Sequence, residues 1–179
     1  MDNKDIFSDN VKKYAPLADR MRPQVLSEFL GQTHLIHDGS FLYKAIISNT
    51  IGSCIFYGPP GTGKTTLANV IANTCHGNFQ KLNAVTSGVS DAKKIIDEAK
   101  NLLKLYGTKT FLLLDECHRW SKAQSDCVLQ AIEQGSIIFI GSTTENPYTN
   151  MTRALVSRCK IYEFKALSEN DIKIALNRA

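Results

Sequence analysis

Eight consecutive residues, Gly58-Pro59-Pro60-Gly61-Thr62-Gly63-Lys64-Thr65, carry the most specific chemistry in this 179-residue chain. A glycine, four residues and then Gly-Lys-Thr is the pattern of a loop whose successive backbone N–H groups wrap an anion, which side chains at Gly61 and Gly63 would obstruct. Lys64 can then reach the β and γ phosphates of a nucleotide, and the Thr65 hydroxyl can ligate a magnesium ion bridging the same groups. Thr66, the next residue, joins this nucleotide-binding set. The second signature is Leu112-Leu113-Leu114-Asp115-Glu116, an apolar run ended by two acids. A phosphate loop needs an acid at the end of a neighbouring strand to hold the magnesium shell, which assigns Asp115, while Glu116 is placed to orient or deprotonate an attacking water. Gly141-Ser142-Thr143-Thr144-Glu145-Asn146-Pro147 follows another apolar run, and Thr144 or Asn146 is positioned to sense the γ-phosphate. Ser157-Arg158-Cys159 ends a short helical stretch. An arginine there is either a surface charge or a stabiliser of a phosphoryl-transfer transition state, and in the second role it reaches a neighbour's nucleotide.

These residues need elements to hold them. Residues 53–57 read as a short buried strand entering the loop, and 65–74 as the helix leaving it, with one amphipathic helix over 41–48 before the strand. Residues 78–82 alternate as a strand. Ala92, Ile95, Ile96, Ala99, Leu102, Leu103 and Tyr106 then mark one face of a helix, with Ser90 as its expected cap and Gly107 as its terminator. Strands are expected at 109–114, 136–140 and 160–164. A helix between the first two of these is announced by the capping-box spacing of Ser121 and Gln124 and closed by Gly135. Alternation of this kind predicts an α/β domain with a mainly parallel, five-stranded sheet flanked by helices on both faces, and ligands at the carboxyl ends of the strands. The expected division is a polar tail over 1–14, a nucleotide-binding core over 15–166, and the opening of a helical lid over 167–179 that stops without a terminator and reads as truncated.

Composition narrows the class less. A net charge of +4 is compatible with a polyanionic partner without demanding one. The five cysteines are odd in number and scattered, which fits a reducing compartment, and Cys117 and Cys127 read as small buried hydrophobes rather than metal ligands beside His118. No apolar run approaches membrane-spanning length and no signal peptide opens the chain, so the expected location is cytoplasmic, without a membrane partner.

Taken together, Gly58 to Thr65, Leu114-Asp-Glu-Cys-His-Arg-Trp120, Gly141 to Pro147 and Ser157-Arg-Cys159 resemble an AAA+ ATPase. Within that class the chain resembles the replication-associated recombination protein A family and its Werner-helicase-interacting relatives, from Pro16 to the end. The Thr-Thr-Glu-Asn-Pro and Lys122-Ala123-Gln124 stretches carry the family-specific part, and Leu17-Ala18-Asp19-Arg20-Met21-Arg22-Pro23 through Phe29-Leu30-Gly31-Gln32 resembles the family's opening segment. The resemblance implies a P-loop NTPase fold, ATP and Mg2+ as cofactors, and hydrolysis of ATP to ADP. It makes Gly58 to Thr65 the Walker A loop, Asp115 and Glu116 the Walker B pair, Thr144 or Asn146 sensor 1, and Arg158 a trans-acting arginine finger. Leu17, Arg22 and Pro23 would border the adenine. It further implies a homo-oligomer in the full-length protein and forked, gapped or single-stranded DNA as partner. The chain departs from the family at Cys117 and Trp120, and it stops as the lid begins. Other readings are a clamp-loader-like or Holliday-junction-motor-like AAA+ subunit, a helicase carrying Asp115-Glu116-Cys117-His118 as its box, and a nucleotide-gated switch with little hydrolysis.

Overall fold

The most apolar runs of the chain become neighbouring strands, because a strand without a polar face has to be covered on both sides. The computed structural model describes residues 16–178, so the expected polar tail over 1–14 lies outside the described residues. Strands β1 (Cys54–Tyr57), β2 (Asn78–Asn83), β3 (Thr110–Asp115), β4 (Ile137–Thr143) and β5 (Lys160–Glu163) form one sheet in the order β2-β3-β4-β1-β5. Every neighbouring pair is parallel. The helices are α1 (Leu17–Arg20), α2 (Phe41–Ile47), α3 (Lys64–Thr74), α4 (Val89–Tyr106), α5 (Lys122–Glu133), α6 (Pro147–Asn150), α7 (Arg153–Val156) and α8 (Glu169–Asn177). Parallel neighbours need crossovers, and α3, α4 and α5 supply three of them.

The period of two along β3 divides its side chains between two cores. Phe111 and Leu113 join Phe56, Phe164, Leu67 and Ile71 with Leu42 and Ile46 of α2. Leu112 and Leu114 turn the other way, into Phe139, Ala92, Ile96, Ala99, Val128 and Ala131 from α4 and α5. Each such fully buried large side chain stabilises the fold by about 1.5–3 kcal/mol. Cys117 and Cys127 pack into the second core, and all five cysteines are free thiols. Among the described residues no helix is long and apolar enough to cross a membrane.

Of three local expectations one holds and two are refined. The Ser121 box forms as read, with Ser121 N–H donating to Gln124 Oε1 at 2.9 Å and Gln124 N–H to Ser121 Oγ at 3.3 Å. Helix α4 is not capped by Ser90, which lies inside it. The Asp91 carboxylate reaches back three residues and accepts the Gly88 N–H at 2.9 Å, a stronger acceptor for that orphan donor than a hydroxyl. Strand β4 continues past Ile140 to Thr143, because Gly141, Ser142 and Thr143 still have Ile55, Phe56 and Tyr57 of β1 alongside to complete their ladder. Part of what reads as a polar loop is therefore strand.

The segment before β1 is laid across the sheet's carboxyl end and tied there by one amide. Gln32 Nε2 donates to the carbonyls of Lys165 at 2.7 Å and Thr62 at 3.3 Å, and Gln32 Oε1 accepts the Lys165 N–H at 2.9 Å. Arg178 Nη1 adds a bond to the Glu28 carbonyl at 2.8 Å.

Candidate active site

The loop between β1 and α3 is clamped from both neighbouring strands. Gly58 N–H donates to the Thr143 carbonyl at 3.2 Å, and Phe164 N–H donates to the Tyr57 carbonyl at 2.7 Å. Gly58 has φ +144°, and a Cβ there would stand 2.1 Å from the Phe164 carbonyl oxygen, so only glycine fits. Gly61 has φ +74° and nothing within 4 Å of its Cβ position, which leaves that side of the loop open to the cleft. Thr62 is buried, with its hydroxyl donating to the Pro59 carbonyl at 2.9 Å. Lys64 Nζ donates to the carbonyls of Gly58 at 2.8 Å and Pro59 at 2.7 Å. The first backbone bond of α3 runs from Leu67 N–H to Gly63 O at 2.8 Å. The N–H groups of Lys64, Thr65 and Thr66 precede it, at the positive end of the helix dipole, and form a ready anion site.

Asp115 and Glu116 stand at the end of β3. Register places Ser142 directly beside Asp115, and Ser142 Oγ donates to Asp115 Oδ1 at 2.6 Å. Lys81 Nζ lies 3.2 Å from the other oxygen. Burial alone would raise the Asp115 pKa; the Ser142 hydroxyl and Lys81 ammonium outweigh it and hold the carboxyl below its ordinary range. The Lys64 pKa is lowered too, which for a base favours the neutral form: burial outweighs the pull of Glu116 and Asp115. Glu116 adopts the left-handed conformation (φ 55°, ψ 42°) and starts a single 3-10 turn over Cys117–Arg119. That turn brings His118 Nδ1 to 3.5 Å from Glu116 Oε2.

Pro60 to Thr66, Asp115, Glu116 and Thr144 line one cleft of about 320 Å³. Asn146 is not in that lining; its Oδ1 caps α6, accepting the Tyr148 N–H at 3.0 Å. Arg158 is also outside the cleft, held by Glu133 of α5. A second hollow of about 230 Å³ shares Gly61, Thr62, Gly63 and Thr66 with the cleft and is closed by Met21, Pro23, Phe29, Leu30, Leu167, Ala175 and Arg178. Of the residues expected around an adenine, Pro23 lines it. Leu17 is 47% exposed, and Arg22 lines an adjoining hollow with Arg20 and Glu28. A larger depression of about 760 Å³, with Val25, His37, Tyr43 and His76 among its walls, contains none of the expected residues.

Sequence reasoning passed over Ser142, Lys81 and His118 as a partner of Glu116; Met21, Phe29 and Leu30 belong to the opening segment that the resemblance puts near the adenine, though they were not singled out within it. Ser142 was findable, since aligning two adjacent parallel strands by their ends sets it against Asp115. Lys81 follows from the same alignment on the other side, where Asn83 of β2 pairs with Asp115 and Lys81 lies two residues back on the same face.

Residues 21–155 match the family model of the Holliday junction DNA helicase RuvB P-loop domain. The replication-associated recombination protein A of Haemophilus influenzae is 46% identical over 97% of this chain, which spans 38% of that protein. The ATPase WRNIP1 of Dictyostelium discoideum is 46% identical over 98% of the chain, which spans 20% of it. Among solved structures, the Thermotoga maritima RuvB Holliday junction branch migration motor superposes with a TM-score of 0.71 at 29% identity, over 88% of this chain and 53% of that one. The chain thus spans well under half the length of these two curated relatives.

Proposed function

The chain belongs to the family of the Holliday junction DNA helicase RuvB P-loop domain, and on that premise we propose that it is the ATP-binding and ATP-hydrolysing AAA+ module of a DNA replication or recombination factor. The observation that carries this is one cleft in which the ends of β1, β3 and β4 bring together the phosphate loop, Asp115, Glu116 and Thr144. Residues 15–166 are the nucleotide-binding core in this reading, and 167–179 the start of a lid.

The residues fit a magnesium nucleotide. The Thr65 hydroxyl and the Asp115 carboxylate are hard oxygen donors, which magnesium prefers, and Ser142 and Lys81 keep Asp115 ionised. Thr65 and Asp115 would hold a magnesium ion, which would supply charge neutralisation to the phosphates of a bound nucleotide. The backbone N–H groups at the start of α3 and the Lys64 ammonium bind the phosphates, and Glu116 accepts the proton of the attacking water. Thr144 takes the role of sensor 1 in this reading, since it lines the cleft and Asn146 does not. Arg158 serves the nucleotide of a neighbouring subunit, so the working form is a homo-oligomer of the full-length protein. The adenine pocket centres on Pro23 with Met21, Phe29 and Leu30.

The names of the relatives extend the reading to DNA, forked, gapped or single-stranded, and the free thiols suit action in the cytoplasm. A Holliday-junction motor is the second reading, favoured by the structural likeness to RuvB; the higher identity to the recombination proteins favours the first. A helicase role for His118 in meeting nucleic acid sits poorly with a side chain only 8% exposed.

The test uses the full-length protein. Glu116→Gln should bind ATP as before and lose about 10²–10⁴-fold in turnover. Unchanged turnover overturns the hydrolytic assignment. Tight ATP binding by the wild type with no turnover on any of forked, gapped, single-stranded or duplex DNA makes it a nucleotide-gated switch instead.

A further inference from the structure

The imidazole of His118 is enclosed between the loop that ends β3 and the loop that ends β4. Its side chain is 8% exposed. Nδ1 lies 2.8 Å from Thr143 Oγ1 and 3.5 Å from Glu116 Oε2, and Nε2 lies 3.4 Å from Glu145 Oε1. Thr143 Oγ1 in turn accepts the Glu145 N–H at 3.0 Å, so hydroxyl, ring and Glu145 form a closed group. Among the described residues no nitrogen of another basic side chain lies within 4 Å of the Glu116 carboxylate.

We propose that His118 is a positioning residue for Glu116, with Glu145 and Thr143 as its anchors; this rests on the reading of Glu116 as the group that activates water. Glu116 is a non-glycine residue in the left-handed region, and a carboxylate on such a turn is free to rotate unless a neighbour restrains it. Glu145 Oε1 meets Nε2 and Thr143 Oγ1 meets Nδ1, so the ring plane is fixed from both nitrogens. A ring so fixed presents one edge to Glu116 and limits the arc its carboxylate can sweep. The same contacts make the loop after β4 part of the catalytic geometry. Thr144 lines the cleft, Glu145 holds the ring, and a displacement of this loop is felt at Glu116 through the imidazole.

The experiment measures ATP turnover and nucleotide affinity of the full-length protein carrying His118→Ala, His118→Asn, Glu145→Gln and the Ala/Gln double substitution, with Glu116→Gln as reference. His118→Ala should lower kcat about 10- to 100-fold with KM and ATP affinity within about twofold, the signature of a lost transition-state arrangement rather than lost binding. His118→Asn, which retains a polar atom near the Nδ1 position, should recover part of that loss. Glu145→Gln should lower kcat about three- to tenfold, and the double variant should be no slower than His118→Ala alone, because both act through one ring. Wild-type kcat in His118→Ala, multiplicative losses in the double variant, or a fall in ATP affinity matching the fall in kcat each overturn the proposal. The reference separates the two levels: an inactive Glu116→Gln beside a fully active His118→Ala sinks only the positioning role, whereas a fully active Glu116→Gln sinks the catalytic reading and this one with it.

Discussion

Arg158 is bonded to Glu133 through two nitrogens at once, with Nε 2.7 Å and Nη2 2.5 Å from the same carboxylate oxygen. Nη1 donates to the Ala154 carbonyl at 2.7 Å, so the guanidinium is held at the end of α7 by side chain and backbone together. The pair is exposed, and a surface ion pair contributes only about 0.2–1 kcal/mol, so it orients Arg158 more than it stabilises the fold.

Arg158→Ala in the full-length protein should leave ATP affinity in place and reduce turnover by about 10³-fold or more, the scale of a lost arginine finger. Mixed with Lys64→Ala subunits it should regain part of its activity, since each defect lies on a different side of a shared site. Turnover assays across mixing ratios check this, and the absence of rescue argues for action within one subunit. Glu133→Ala should shift stability by less than about 1 kcal/mol while changing turnover.

Two loop glycines should fail in different ways. Gly58→Ala forces a Cβ against the Phe164 carbonyl at a strained φ and should lower stability by about 2–5 kcal/mol in urea titrations. Gly61→Ala meets no protein atom and should cost about 1–3 kcal/mol from its φ alone, yet weaken ATP binding more than that loss explains. Equal stability losses in the two variants contradict the packing at Gly58.

Ser142→Ala removes the hydroxyl donated to Asp115 and should raise the Asp115 pKa toward the ordinary carboxylate range. A hydrogen bond to a charged group contributes about 1.5–3 kcal/mol. Because the folded-state pKa is depressed, this stabilisation is complete above the unfolded carboxylate pKa and is lost as pH falls through the folded value. The variant's deficit in urea midpoint should therefore be seen at neutral pH and shrink in acid. Its turnover should require several-fold more magnesium, read from a titration of the metal at saturating ATP.

Alkali should destabilise the protein through buried thiols. Burial pushes Cys159 up to about 12 and raises Cys54 and Cys117 as well, from an ordinary value of 9.0. A folded pKa above the unfolded one gives stability that is complete below about pH 9 and lost as pH climbs toward the folded value. Near pH 10 the loss is about 1.4 kcal/mol for Cys159. Urea midpoints at pH 8 and 10 measure it, and Cys159→Ala should flatten the difference.

Where the letters alone locate chemistry, they do so through chemistry that is local. Gly58 to Thr65 forms its loop from consecutive residues, and Asp115-Glu116 stands where an apolar run meets a turn, so both were legible. Thr144 and Asn146 were inseparable by type. In the fold Thr144 lines the cleft, while Asn146 lies outside its lining with its Oδ1 capping α6. The resemblance puts Leu17 beside the adenine; in the fold it is 47% exposed on the single turn of α1 and does not line the hollow that Met21, Phe29 and Leu30 close. Ser142 and Lys81 depend on strand order and register, which no single segment encodes.

The Gln32 amide belongs to three parts of the molecule at once: the entry segment, the buried end of the phosphate loop at Thr62, and the backbone at Lys165 that leads into α8. Such a side chain works as a mechanical linkage. The backbone at Lys165 cannot swing away from the sheet without breaking two hydrogen bonds to one residue or drawing Thr62 along with it. Force arriving at α8 is therefore transmitted to the loop on which the nucleotide would rest, and load on that loop is returned to α8 by the same route.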